Sequence, residues 1–217
     1  MTFNFVSPIF NQKTMAKKIF TPGEPYYFSR SKAYLFLECP RCFYLDHIRG
    51  IVRPPSFPLS LNNAVDKLMK AEFDTYRQWQ QPHPVVVQNG LNLIPYQHHF
   101  LSDWRDSFKG IRAEYAGHRF GGIIDDVWVD ANGVLYIVDY KATVKPHPIE
   151  NFHLMEKGYY RSYFFQLEFY QWLFDKNGFG VSNTAYFVFA NGKDDLPQFN
   201  NQLQFNLQLV KYEGNPD

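Results

Sequence analysis

Hydrophobic and polar residues alternate most regularly between Gly121 and Thr143, in the stretch GGIIDDVWVDANGVLYIVDYKAT. Residues 122–130 and 134–143 are rich in Ile, Val, Tyr and Trp, which suit a pleated, half-buried surface, so each is expected as a strand. Between them, Asp130-Ala131-Asn132-Gly133 puts Asp where a type I turn begins and Gly where φ must become positive, which predicts a hairpin. Elsewhere the spacing of apolar residues becomes helical. Residues 32–39 carry Ala33, Phe36 and Leu37 behind a Ser cap, and 60–79, capped by Ser60, carry Val65, Leu68, Met69, Phe73 and Tyr76. Residues 101–108 suggest a shorter helix stopped by Gly110, and 159–176 a long one, with Tyr163, Leu167, Tyr170 and Phe174, ended by Gly178. Residues 111–120 read as one strand feeding the hairpin, 184–190 and 203–210 as later strands, and Val85-Val86-Val87 as an edge strand. This order predicts an α/β fold with a central mixed β-sheet flanked by helices. Residues 1–25, punctuated by Pro8, Pro22, Gly23 and Pro25, are expected as a flexible tail, and 26–217 as a single domain.

The charges on the hairpin are what make it more than a scaffold. Asp139 and Lys141 alternate on one strand and must share a face with Leu135 and Ile137, so a carboxylate and an ammonium emerge at the end of an apolar stripe. A three-residue loop closed by Gly133 pairs Asp130 with Val134 and sets Asp125 opposite Asp139. A two-residue Asn132-Gly133 loop brings Asp126 there instead. The first register suits both Asp130 and Gly133; in either, two carboxylates face each other across roughly 5 Å of sheet. Like charges that close call for a cation, and Mg²⁺ or Mn²⁺ suits one or two carboxylates with waters and phosphate oxygens. Asp139 and Lys141 taken alone make an ordinary ion pair on a strand face.

They do not stand alone. Gly122-Ile123-Ile124-Asp125, then Ile137-Val138-Asp139-Tyr140-Lys141, then Gln166 and Tyr170 one helical turn apart, resemble the PD-(D/E)XK nuclease superfamily, and more narrowly its RecB-like branch. Ile124 stands where the family name has Pro. The resemblance runs from about residue 29 to about residue 189. It implies a restriction-endonuclease-like core and metal-dependent DNA hydrolysis, of exonuclease or end-processing type, with DNA favoured over RNA. By position it gives Asp125, Asp139 and the Tyr140 carbonyl to a Mg²⁺ or Mn²⁺ ion, catalytic assistance to Lys141, and the lining of the site to Gln166 and Tyr170. Asp66 falls where many RecB-like nucleases place a further ligand, His; it reads either as that ligand or as a surface acid paired with Lys70. The run CPRCFYLDHIRGI resembles the segment that opens RecB-like domains, and Arg30, Arg41 and Arg49 are candidate phosphate contacts. The alternative is a nucleic-acid-binding module on a nuclease fold with little or no catalysis.

Composition narrows this further. With a net charge of +1, the chain has no basic coat for indiscriminate nucleic-acid binding, so a nuclease needs a local positive patch. No apolar run is long enough for a membrane span, and a cytoplasmic protein is expected. Cys39 and Cys42 form an isolated CPRC, and no Cys follows residue 42, so the iron–sulfur cluster of some RecB-like nucleases is not expected. Glu72 and Asp74 read as solvated charges. His83, His98 and His99 are not spaced with other ligands, while His147 and His153 sit near a loop that can clamp substrate.

Overall fold

The computed structural model describes residues 20–54, 57–146, 148–149 and 160–215. In chain order its elements are β1 (Tyr27–Ser29), α1 (Arg30–Glu38), α2 (Pro40–Phe43, continued by a π-helical turn Tyr44–Ile48), α3 (Ser60–Trp79), α4 (Pro84–Gln88), β2 (Ile94–Pro95), α5 (Leu101–Trp104), β3 (Ile111–Tyr115), β4 (His118–Gly122), β5 (Asp126–Val129), β6 (Leu135–Thr143), α6 (Tyr160–Lys176), β7 (Thr184–Gly192) and β8 (Phe205–Glu213). The larger sheet has the order β2-β5-β6-β7-β8. It is mixed: β6 and β7 run parallel, joined across α6, and the other neighbours are antiparallel. A smaller sheet, β1-β4-β3, pairs β1 with β4 in parallel.

Period two on β6 sets the layering. Leu135 and Ile137 join a core with Leu167, Leu173 and Phe174 of α6 and Phe187 of β7. Val138 and Tyr140, one residue out of phase, join Val65, Met69 and Phe73 of α3 with Trp128 and Val188. The strand is therefore covered by one helix on each face, and a charge on it must be neutralised by whatever helix it meets.

Several expectations give way at element ends and in short apolar runs. Residues 111–120 are two strands, because Ala116 and Gly117 take φ +48° and +76° and close a two-residue turn that pairs Tyr115 with His118. Nor is 122–130 continuous: the chain leaves the smaller sheet at Gly122 and enters the larger one at Asp126. Val85-Val86-Val87 belongs to helix α4, where Pro84 fits the first turn and His83 Nδ1 accepts the Val85 N–H at 3.1 Å. Leu59, without a side-chain cap, precedes α3 in place of a Ser60 cap. The helix expected over 101–108 stops at Trp104 and leaves Phe108 87% exposed. On α1 it is Leu35 that turns inward, while Phe36 and Leu37 are exposed, as is Leu68 on α3. Three adjacent apolar residues satisfy more than one helical phase, and only the neighbouring elements choose among them.

Candidate active site

The turn between β5 and β6 sets the site. Asp130 N donates to Val134 O at 3.1 Å, Gly133 N to Asp130 O at 3.1 Å, and Asp130 Oδ1 accepts the N–H groups of Asn132 and Val134, both at 2.9 Å. Gly133, at φ +82°, occupies the left-handed position this three-residue loop needs. The ladder then runs Val129 with Leu135, Val127 with Ile137 and Asp126 with Val138, which brings Asp125 level with Asp139 just beyond its end. Asp125 is tied back to β6 by the Tyr140 N–H, 3.0 Å from Oδ2.

Asp126 points to the opposite face. There it accepts hydrogen bonds from Arg77 Nη2 (2.6 Å), Arg105 Nη2 (3.0 Å), the Tyr140 hydroxyl (2.6 Å) and the Val127 N–H (2.8 Å). Asp74 completes this group: Arg105 Nη1 donates to its Oδ1 and Oδ2 at 2.8 and 2.9 Å, and Arg77 Nε to its Oδ1 at 3.1 Å. Asp74 is thus a structural partner instead of a solvated charge. Glu72 likewise accepts a contact from His83 Nε2 at 2.9 Å.

On the α6 face, Asp139 is fully buried. Gln166 Nε2 donates to its Oδ1 at 2.6 Å, and its Oδ2 is ion-paired with the Lys141 ammonium. The Lys141 ammonium also lies over the Tyr163 ring, 4.6 Å from its centroid. Gln166 and Tyr170, four residues apart on α6, are both buried on the side facing Asp139. Arg30, first residue of α1, hydrogen-bonds Tyr170. The Tyr170 ring packs so closely on β4 that a Cβ on Gly122 would lie 2.5 Å from Cε1.

Asp66 is reached indirectly. Lys70, one turn further along α3, places its ammonium 2.8 Å from Asp66 Oδ2 and 2.8 Å from Asp125 Oδ1. Asn62 Nδ2 donates to Ala142 O at 3.0 Å and so fastens the start of α3 to the end of β6. Arg30, Asn62, Asp66, Lys141, Tyr163 and Gln166 line a cleft of about 300 Å³ between α3 and α6.

A family model described as the PD-(D/E)XK nuclease superfamily matches residues 27–212, from β1 into β8. The chain belongs to the PD-(D/E)XK nuclease superfamily. No match was found among curated proteins.

The electrostatics are those of two carboxylates that resist ionising together. Burial would raise the pKa of Asp125, but Lys70 and Lys141 outweigh it and hold that carboxyl below its usual range. Asp139 is pushed up to about 7, first by burial and further by Asp125, with Lys141 opposing. Burial also raises the phenol of Tyr170. The superfamily's usual divalent metal can be tested against these groups. Asp125 and Asp139 provide hard oxygen donors from neighbouring strands, and their mutual repulsion is what a divalent cation would neutralise, which fits a Mg²⁺ or Mn²⁺ site completed by water and phosphate. Among the described residues no three His, Cys, Asp or Glu side chains gather closely enough to hold a metal, and Asp66 faces Asp125 across the Lys70 ammonium.

Of the residues expected to form the site, Asp125, Asp139, Lys141, Gln166 and Tyr170 come together. Tyr140 contributes its backbone here while its phenol serves the Asp126 network. Lys70 was legible only as a partner for Asp66 four residues away; its bond to Asp125 spans 55 residues of sequence. His147 and His153 lie outside the described residues. Cys39 and Cys42 are free thiols at the α1–α2 junction, where Cys39 Sγ accepts the Cys42 N–H at 3.2 Å. Among the described residues no helix is long and apolar enough to cross a membrane.

Proposed function

We propose that this PD-(D/E)XK protein is a Mg²⁺- or Mn²⁺-dependent nuclease of the RecB-like type, hydrolysing DNA phosphodiester bonds as an exonuclease or end-processing enzyme. The observation that carries the reading is the buried pair Asp125–Asp139 with the Lys141 ammonium beside it, at the edge of an open cleft. Asp125, Asp139 and the Tyr140 carbonyl would hold the cation, which supplies positive charge for a phosphoryl oxygen and for the attacking water. Lys141 steadies that water and the negative charge that develops on the phosphoryl oxygens. Gln166 fixes the carboxylate plane of Asp139 through its short hydrogen bond. Tyr170, held by Arg30 and by contact with Gly122, keeps α6 at the correct distance. Arg30 and Asn62 supply the local polar surface along which a phosphate backbone can lie, in a chain whose net charge is only +1. No dedicated base-reading module is recognisable in the sequence, which favours action at ends over sequence-specific cutting.

A second reading, a nucleic-acid-binding module with little or no catalysis, is favoured by the Lys70 ammonium on Asp125. Cleavage of single- and double-stranded DNA with Mn²⁺ by wild type and Lys141→Ala separates the two. Strong degradation by wild type alone supports the nuclease. Equal degradation by both proteins removes Lys141 from the chemistry and overturns the assignment; calorimetric Mn²⁺ binding with no cleavage by either favours the binding module.

A further inference from the structure

Lys70 is unusual among the cations around the site because it comes from the other side of the sheet. Asp125 has two carboxylate oxygens, and both are taken: Oδ2 by the Tyr140 N–H and Oδ1 by the Lys70 ammonium at 2.8 Å. The same ammonium is 2.8 Å from Asp66 Oδ2. It thus bridges two carboxylates, with its side chain 24% exposed. Across the strands from Asp125, Asp139 is buried with Gln166 on Oδ1 and the Lys141 ammonium against Oδ2. A cation approaching Asp139 therefore meets an Asp125 that is already neutralised.

We propose that Lys70 is a built-in counter-cation of the candidate site, occupying Asp125 until a divalent metal displaces it and so setting how tightly that metal binds. The inference rests on the reading of Asp125 and Asp139 as the metal-holding pair. The chemistry of the residue suits it. An ammonium on a flexible four-carbon stem can leave one carboxylate without leaving the other, whereas a guanidinium fork is committed in several directions. Lys70 is four residues from Asp66 on α3, so after release from Asp125 it keeps an i,i+4 ion pair to rest on. Displacement then breaks one ion pair out of two. In the metal-free protein the same contact prevents Asp125 and Asp139 from facing each other as bare anions. Lys70 is accordingly a positioning residue, acting on the metal through Asp125.

Calorimetric titration of the full chain with Mn²⁺, without nucleic acid, tests this. Lys70→Met keeps the length of the side chain and removes its charge; Lys70→Gln keeps hydrogen-bond donors and serves if the Met variant fails to fold. Removing the positive charge that sits 2.8 Å from Asp125 Oδ1 predicts that Mn²⁺ binds at least about tenfold tighter than to wild type. The metal-free variant should also melt at a lower temperature and gain more from saturating Mn²⁺ than wild type does. Asp125→Asn and Asp139→Asn are titrated alongside. If both weaken Mn²⁺ binding while the Lys70 variants bind it no tighter than wild type, Lys70 is only a structural partner and the proposal falls, with the site reading intact. If the two Asn variants bind Mn²⁺ as wild type does, the site reading itself fails and takes the proposal with it.

Discussion

Asp125 and Asp126 follow one another in the chain, yet the larger sheet sends them to opposite faces and gives them different fates. Asp126 meets α3 and the end of α5, where two arginines, a tyrosine hydroxyl and a backbone N–H saturate it. Asp125 meets a lysine and one backbone N–H, and lies against a second buried carboxylate. Guanidinium forks hold Asp126 from fixed directions, and nothing is left over for a ligand. An ammonium holds Asp125 from one direction, and Asp139 beside it rests on Gln166 and a second ammonium, Lys141. Two adjacent aspartates with the same chemistry therefore become a strut and a candidate cation site; α3 reaches both, and a guanidinium fork on one against a single ammonium on the other makes the difference.

The largest effect is expected from breaking the strut. Asp126→Ala leaves Arg77, 3% exposed, and Arg105 buried without their partner and should cost about 3–5 kcal/mol in denaturant unfolding. Asp125→Ala should cost clearly less, since Lys70 retains Asp66; the reverse order would undo the comparison. Next comes the chemistry of the other face. Lys141→Ala should reduce Mn²⁺-dependent DNA cleavage by about a hundredfold or more in a single-turnover assay, with the fold retained.

A smaller effect sharpens the link between the site and α6. Gly122→Ala puts a methyl group 2.5 Å from the Tyr170 ring and should destabilise the protein by about 1–3 kcal/mol, while lowering cleavage in the same assay. The smallest effect is on pH dependence. Because the Asp139 pKa is raised from 3.8 to about 7, the folded metal-free protein holds a proton between those values that the unfolded chain has released. The stability this contributes is fully present below about pH 4 and is lost as pH rises through about 7. Asp139→Asn should remove that decline, so in EDTA its melting temperature should exceed that of wild type above pH 7. A variant that melts lower than wild type throughout would mean that Lys141 and Gln166 outweigh the cost of burying the Asp139 charge.

Much of this arrangement could be read from residues close in the chain. Asp130 and Gly133 make the turn that sets the register, and the register alone decides that Asp125 instead of Asp126 stands level with Asp139. Alternation along β6 and the four-residue spacing of Gln166 and Tyr170 put Lys141, Asp139 and both α6 residues on one side. These are local matters, governed by backbone geometry over a few residues. The turn at Ala116-Gly117 was not legible because Ala seldom takes positive φ, nor the helix after Pro84 because a short apolar run fits a helix as well as a strand.

The neutralising partners were not legible in this way. Lys70 reaches Asp125 across 55 residues, Arg77 reaches Asp126 across 49, and Arg30 meets Tyr170 only because α1 packs against α6. A charge on a strand states that it needs a counter-charge, but not which helix will bring it, because that depends on how distant elements pack. The sequence alone therefore determined where the carboxylates converge, through short-range turn and strand geometry. Tertiary packing decided which of them is locked by two arginines and which is held by a single lysine.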